Sequence, residues 1–237
     1  MDDRAVAIIP ARGGSKRIPK KNIKPFNGRP MISYPIRAAM EAGIFEKIIV
    51  STDSPEIKEV ALMNGAEVPF LRPRELSDDY TPTAPVIAHA ITALEEMGLV
   101  IDFVCCIYAT AVFIKPEYLK EGFEIMKQTG ASSVFSVTTF DFPIFRALKI
   151  NEQGNLEMIW PEYELTRSND LPEAYHDAGQ FYWLRKKEFM REKRIYTKDA
   201  RPVIIPRKFV EDIDTLEDWE SAEIKFRIMM EKGDMNE

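Results

Sequence analysis

The chain has 237 residues, 45% of them hydrophobic and 30% charged, with a formal net charge of −6. That size and apolar content suit one large α/β domain with room for an inserted arm, and they exclude a disordered chain. The acidic balance sets aside a general nucleic-acid binder, and no apolar run approaches the ~20 residues of a membrane span.

Met1-Asp2-Asp3-Arg4 is acidic and does not read as a signal peptide. Ala5 to Ile9 reads as a buried strand that delivers the chain into a basic, glycine-containing loop, Pro10 to Asn22. Met31 to Ala42 predicts a helix stopped by Gly43. Lys47 to Ser51 is a second strand, and Ser54-Pro55 starts a helix that runs to about Asn64. Ala66 to Phe70 reads as a third strand, Thr81 to Met97 as a helix and Phe103 to Tyr108 as a fourth strand. Glu117 to Gln128 is a helix ahead of Gly130, and Ser132 to Thr138 is a fifth strand. Strands alternating with helices predict a mostly parallel sheet covered on both faces, with the ligand at the carboxyl ends of the strands.

The pattern changes after Thr139. Phe142 to Ile150 and Leu156 to Trp160 predict a hairpin around Asn151-Gly154. The irregular stretch from Pro161 to Asp177 is too long for a simple connector and reads as a functional or interface arm. Gln180 to Leu184 and Val203 to Ile205 return to strand character, and Leu216 to about Glu231 is a closing helix. The expectation is a single domain over 1–237 with an inserted arm at about 140–177. The adjacent Cys105 and Cys106 point to opposite faces of a strand, which argues against a disulfide and for a reducing compartment.

From Arg12 to Arg29 there are seven basic residues and no acidic one, which leaves 25 basic against 38 acidic residues elsewhere. A cationic loop on an acidic body, placed after the first strand, points to a polyphosphate. The alternative is a solvated basic loop. Gly13 and Gly14 permit backbone angles that aim successive N–H groups at one anion, while Arg12 offers a guanidinium fork and Lys16 and Lys21 offer point charges. The loop matches neither a Walker A sequence nor a dinucleotide fingerprint.

The segment Ile8-Ile9-Pro10-Ala11-Arg12-Gly13-Gly14-Ser15-Lys16-Arg17-Ile18-Pro19-Lys20-Lys21-Asn22-Ile23 resembles the opening of the CMP-sialic acid synthetase family. The resemblance implies a three-layer α/β/α nucleotide-diphospho-sugar transferase-like fold. It also implies a loop wrapped around the triphosphate of CTP, with contacts from Arg12, Ser15, Lys16, Lys21 and Asn22.

Near the other end, Asp212 and Asp214 share one side of an extended segment, where two carboxylates suit Mg²⁺. Asp214 is equally placed to cap the closing helix. The family resemblance implies an Asp-x-Asp metal site here. It also puts the Leu71–Asp79 loop beside the cytosine, with Arg72 as the base contact and Arg74 as a less secure candidate.

Tyr108-Ala109-Thr110-Ala111 departs from the Leu-Gln-Pro-Thr-Ser-Pro-like stretch of sialic acid synthetases and looks like their pseudaminic branch. That makes Tyr108 and Thr110 substrate candidates. Arg167 through Trp183 resembles the same branch. Arg167 suits a sugar carboxylate, and Tyr175, His176 and Gln180 suit hydroxyl and acetamido groups. His176 also reads as a structural hydrogen-bonder, and His89 and Trp183 read as structural.

The implied reaction is attack of the anomeric hydroxyl of a nine-carbon 2-keto sugar acid on CTP. Arg12, Lys21 and Asp214 would be catalytic, with Mg²⁺ as cofactor. The resemblance further implies a homodimer built by the arm, with Arg167 reaching across it. The reading places the protein in the cytoplasm, with no nucleic acid and no membrane as partner.

Overall fold

The computed structural model describes residues 3–235. Met1 and Asp2, the first half of the acidic start, lie outside the described residues.

β1 (Ala5–Pro10) is buried along nearly its whole length. The loop after it ends in a 3-10 turn at Lys21–Ile23 and a small hairpin, β2 (Pro25–Phe26) and β3 (Arg29–Pro30). Asn27 and Gly28 both take positive φ, 43° and 87°, as a tight two-residue reversal requires. α1 (Ser33–Ala42) follows and ends on Gly43 at φ 64°. It begins two residues later than predicted, because Met31 and Ile32 pack in the core ahead of the first turn.

β4 (Lys47–Ser51) leads into α2 (Pro55–Met63), capped by the Ser54 hydroxyl with Pro55 in the first turn. The predicted third strand is reduced to a single parallel bridge between Ile49 and Glu67. Glu67 pairs through both its N–H and its carbonyl with the edge strand, but Pro69 has no N–H to continue the ladder. Then come α3 (Thr83–Glu96), β5 (Phe103–Ile107), α4 (Pro116–Thr129) and β6 (Ser133–Thr139).

The predicted hairpin forms only between β7 (Leu148–Ile150) and β8 (Leu156–Met158). Ile144–Arg146 turns into a 3-10 helix instead of extending. β9 (Tyr175–Arg185) is longer than predicted and starts at Tyr175, so the arm rejoins the sheet earlier. α5 (Lys186–Glu192) was not predicted. Only Phe189 is buried in that charged segment, which leaves too weak a periodic signal. β10 (Arg201–Ile204) and α6 (Leu216–Glu231) complete the chain.

Six strands form one sheet in the order β10-β6-β9-β5-β1-β4. β9 runs antiparallel to both its neighbours and every other pairing is parallel. Alternate residues feed two cores, one on each face. Ala7, Ile9, Cys105 and Trp183 pack with residues of α1, α2, α4 and α6, whereas Ile8, Val104, Cys106 and Tyr182 pack with α3 and Phe189. This is the expected three-layer arrangement, and the free, buried Cys105 and Cys106 lie on opposite faces as predicted. Trp183 is core as predicted, stacked against Phe123 and Phe45 with its indole N–H on the Leu119 carbonyl. Among the described residues no helix is long and apolar enough to cross a membrane.

The chain ends meet through aromatic packing. Phe26, on the hairpin just past the basic loop, makes edge contacts with Trp219 and Phe226 of α6 at 5.5 and 5.6 Å. Lys24 lies over the Trp219 ring at 3.8 Å, and the Asn27 N–H donates to Glu223. This apolar staple fixes the start of α6, and the acidic segment before it, against the basic loop.

Candidate active site

The carboxyl ends of β1, β4, β5 and β6 all open on one end of the sheet, where two cavities adjoin. The first, about 510 Å³, is lined by the basic loop together with Arg72, Asp79, Tyr108, Thr110 and Asp214. The second, about 840 Å³, is lined by Thr138 to Phe142, His176 to Gly179, Tyr182, Tyr196, Arg207 and Asp212. Tyr108 and Thr110 belong to both and form the seam between them.

The loop owes its shape to a few anchors. Ile18 is fully buried, and the Asn22 amide donates to the Arg12 carbonyl at 3.0 Å. Arg12, Ser15, Lys16, Lys21 and Asn22 all line the first cavity. The two glycines behave differently from the expected anion nest. Neither takes positive φ, and the Gly13 N–H donates to Asp53 at 2.9 Å, not into the cavity. Gly13 allows a close approach, because a Cβ there would stand a tight 3.0 Å from that of Ser54. A Cβ on Gly14 would meet nothing within 4 Å.

Carboxylates already hold the loop's cations. Asp79 takes Arg12 at 2.7 Å on one oxygen and Lys16 on the other, and Arg12 also donates to the Asp78 carbonyl at 2.6 Å. Those two cations hold the Asp79 carboxyl below the usual carboxylate range. Asp214 receives Arg17 at 2.9 Å and Lys21 at 3.3 Å, and Lys21 also donates to the Ile213 carbonyl at 2.8 Å. Sequence reasoning missed Asp79 as part of the site and counted Arg17 only as background charge.

The choice left open for Asp214 is resolved. Thr215, not Asp214, caps α6: its hydroxyl accepts from the Asp218 N–H while the Asp218 carboxylate accepts from the Thr215 N–H. Asp214 is thereby left to the cations. Asp212 faces the second cavity, and its carboxylate has no hydrogen bond and no ion pair among the described residues. Partial desolvation and the charge of Asp214 push its carboxyl up, with Lys21 acting the other way.

Arg72 is only 6% exposed, yet it lines the first cavity. It donates to the carbonyls of Ser51 and Leu76, its Nε has no partner, and burial lowers its pKa. Arg74 sits on the 3-10 turn Arg74–Leu76 and is not among the residues that line either cavity. The Tyr108 hydroxyl meets Thr83 at 3.0 Å, and burial raises its pKa. His89 is structural in the sense predicted: it lies edge-on to Phe70 at 5.3 Å, and burial lowers its pKa.

Of the other sugar candidates, only His176 lines the second cavity. Its ring lies 4.9 Å from that of Phe140, with Nδ1 at the Asp177 carbonyl. Gln180 corrects the expectation. It is 3% exposed, and its amide N–H is spent on the Phe209 carbonyl, so it anchors the chain leading to Asp212 and does not face the cavity. The Tyr175 hydroxyl turns to Glu173 at 2.6 Å, and Arg167 turns to Asp170 at 2.7 Å. Neither lines either cavity within this chain. A feature the sequence did not suggest is Asp177, whose carboxylate accepts the Tyr182 and Tyr196 hydroxyls on the wall of the second cavity.

The chain is 43% identical to the pseudaminic acid cytidylyltransferase of Campylobacter jejuni, over 96% of this chain and 98% of that protein. It is 34% identical to the CMP-N,N'-diacetyllegionaminic acid synthase of Legionella pneumophila, over 93% of this chain and 95% of that one. A solved CMP:2-keto-3-deoxy-manno-octonic acid synthetase, complexed with CTP, has the same fold. It superposes with a TM-score of 0.70 at 14% identity, over 97% of this chain and 99% of that one. The family profile described as Cytidylyltransferase matches residues 6–231, and the chain belongs to the cytidylyltransferase family.

Proposed function

We propose that this enzyme transfers the CMP group of CTP to the anomeric hydroxyl of pseudaminic acid, giving CMP-pseudaminic acid and pyrophosphate. The observation that carries this reading is the contact of Lys21 and Arg17 with Asp214, which brings the phosphate loop and the acidic segment to one seam between two cavities. The relative named for pseudaminic acid matches at 43%, against 34% for the one named for a legionaminic acid, and this favours the first sugar.

In this reading the triphosphate lies in the first cavity. Arg12, Lys16 and Lys21 bind it and stabilise charge on the departing pyrophosphate. The unpartnered Nε of buried Arg72 is left to read an acceptor on the cytosine. The sugar acid lies in the second cavity, its hydroxyl directed at the α-phosphorus past Tyr108 and Thr110. The bond from that phosphorus to the bridging oxygen breaks as the bond to the sugar oxygen forms and the hydroxyl proton passes to solvent, so no covalent enzyme intermediate is needed.

Asp212 and Asp214 would hold Mg²⁺. Among the described residues no three His, Cys, Asp or Glu side chains converge as a metal cage. Two carboxylates, one of them unpaired, fit an ion that is held by one or two protein oxygens and completed by phosphate and water. When bound, Mg²⁺ supplies charge neutralisation between the acidic sugar and the triphosphate.

We also propose a homodimer built through the arm at about 140–177, with Arg167 available to a neighbouring site. The reaction is assigned to the cytoplasm and its product to a glycan on flagellin or a surface polysaccharide. The test is pyrophosphate release with CTP, Mg²⁺ and a panel of sialic, legionaminic, pseudaminic and Kdo-type acids. Preferred use of pseudaminic acid supports the proposal, whereas preference for N-acetylneuraminate overturns the substrate.

A further inference from the structure

An acidic sugar needs a cation in its cavity, because a carboxylate moved out of water without one is strongly disfavoured. The sequence candidate for that cation, Arg167, lies outside the cavity within this chain. The Lys and Arg side chains that line the cavity are Arg207 and Lys225.

Lys225 is committed elsewhere. Its ammonium donates to the Val210 carbonyl at 2.7 Å and to Glu211 at 2.8 Å, which ties α6 to the segment that carries Asp212. Arg207 is not committed in this way. Only Nη1 is in use, toward Asp141 at 2.6 Å and the Phe140 carbonyl at 3.3 Å. Nε and Nη2 have no hydrogen bond among the described residues, which leaves one edge of the planar fork available. The Asp141 side chain is 74% exposed and that of Arg207 50%, so the pair is held weakly and is readily exchanged.

Arg207 is also well placed. It opens the 3-10 turn Arg207–Phe209, which lies between β10 and the Asp212–Asp214 segment. Buried Gln180 grips the Phe209 carbonyl, and the Ile205 N–H donates to the Val137 carbonyl at 2.8 Å, so the turn is fixed at both ends. The first cavity shows the same device, with Asp79 lying on the cations that this reading gives to the triphosphate.

We propose that Arg207 receives the carboxylate of the sugar acid, displacing Asp141, and that it thereby sets the enzyme's preference for acidic sugars. The proposal rests on the cytidylyltransferase reading above. It gives Gln180 a positioning role, because the side chain expected to touch the sugar instead holds the turn that presents Arg207.

The test is steady-state pyrophosphate release, with pseudaminic acid or its neutral carboxamide varied at saturating CTP and with CTP varied at saturating sugar acid. It uses the wild type, Arg207→Gln, Arg207→Lys, Asp141→Asn and Arg167→Gln. Arg207→Gln is expected to raise the KM for the acid by roughly tenfold or more while leaving the KM for CTP unchanged. It should also abolish the preference for acid over carboxamide, Arg207→Lys should restore part of that preference, and Asp141→Asn should lower the KM for the acid. A wild-type KM and preference in Arg207→Gln would overturn the proposal, as would loss of the preference in Arg167→Gln alone. Absence of turnover by the wild type with every sugar acid would instead overturn the functional reading itself.

Discussion

Asp79 is the residue whose position carries the sharpest consequence for nucleotide binding. It lies between Arg12 and Lys16, and a triphosphate bound as proposed would compete with it for both. Replacement by asparagine keeps the shape and removes the charge, so Asp79→Asn is expected to lower the KM for CTP. A raised KM in steady-state kinetics would mean that Asp79 orients Arg12 and does not compete for it. The loop's cations were legible in the sequence because their density was abnormal. Their partners were not, since Asp79 lies 67 residues from Arg12 and nothing local to either reveals the pair. The opposite error occurred at Gln180 and Tyr175. On an alternating strand the facing of each side chain depends on register, which a single sequence does not print.

At the scale of elements, α4 and α6 lend themselves to direct tests. Gly122 of α4 lies beneath the β9 aromatics, and a Cβ there would stand 2.8 Å from Trp183 and 3.1 Å from Phe181. Gly122→Ala is therefore expected to destabilise the fold by about 1–3 kcal/mol through overpacking, read as a lower midpoint in urea at unchanged slope. In α6 the capping interactions with Thr215 hold the Asp218 carboxyl below its usual range. The unfolded chain therefore takes up the proton first, so acid favours unfolding. The contribution is fully present above the ordinary aspartate value and is lost as the pH falls through the depressed one. The Tm gap between wild type and Asp218→Asn should be open at neutral pH and close on acidification. A gap that did not change with pH would remove Asp218 from the account. The helices with clear stop signals, at Gly43 and Gly130, were legible in the sequence. The strand expected at Ala66 to Phe70 failed at Pro69, and α5 escaped notice because a charged, seven-residue helix with one buried side chain has little periodicity to read.

Across the whole molecule, the arm stands out for its unburied apolar side chains. Leu165 is 95% exposed, Phe142 83% and Ile150 72%. Exposed apolar side chains in this number suit an interaction surface, and a second copy of the chain is the partner proposed above. Wild-type protein should scatter light as a dimer, and Leu165→Glu should shift it toward the monomer with an unchanged circular dichroism spectrum. A monomeric wild type would remove the dimer from the proposal.

The sequence by itself determined the alternation of strands and helices, the cationic loop after the first strand and the Asp-x-Asp before the last helix. Each of these is written in contiguous residues, where propensity, charge density and short spacing act. Only the tertiary structure decided that Thr215 caps α6 and leaves Asp214 to Lys21, that Asp79 sits on Arg12, and that Arg207, and not Arg167 of the same chain, lines the second cavity. Those outcomes depend on packing between segments far apart in the chain, above all Phe26 against Trp219 and Phe226, and no local pattern encodes which distant surfaces will meet.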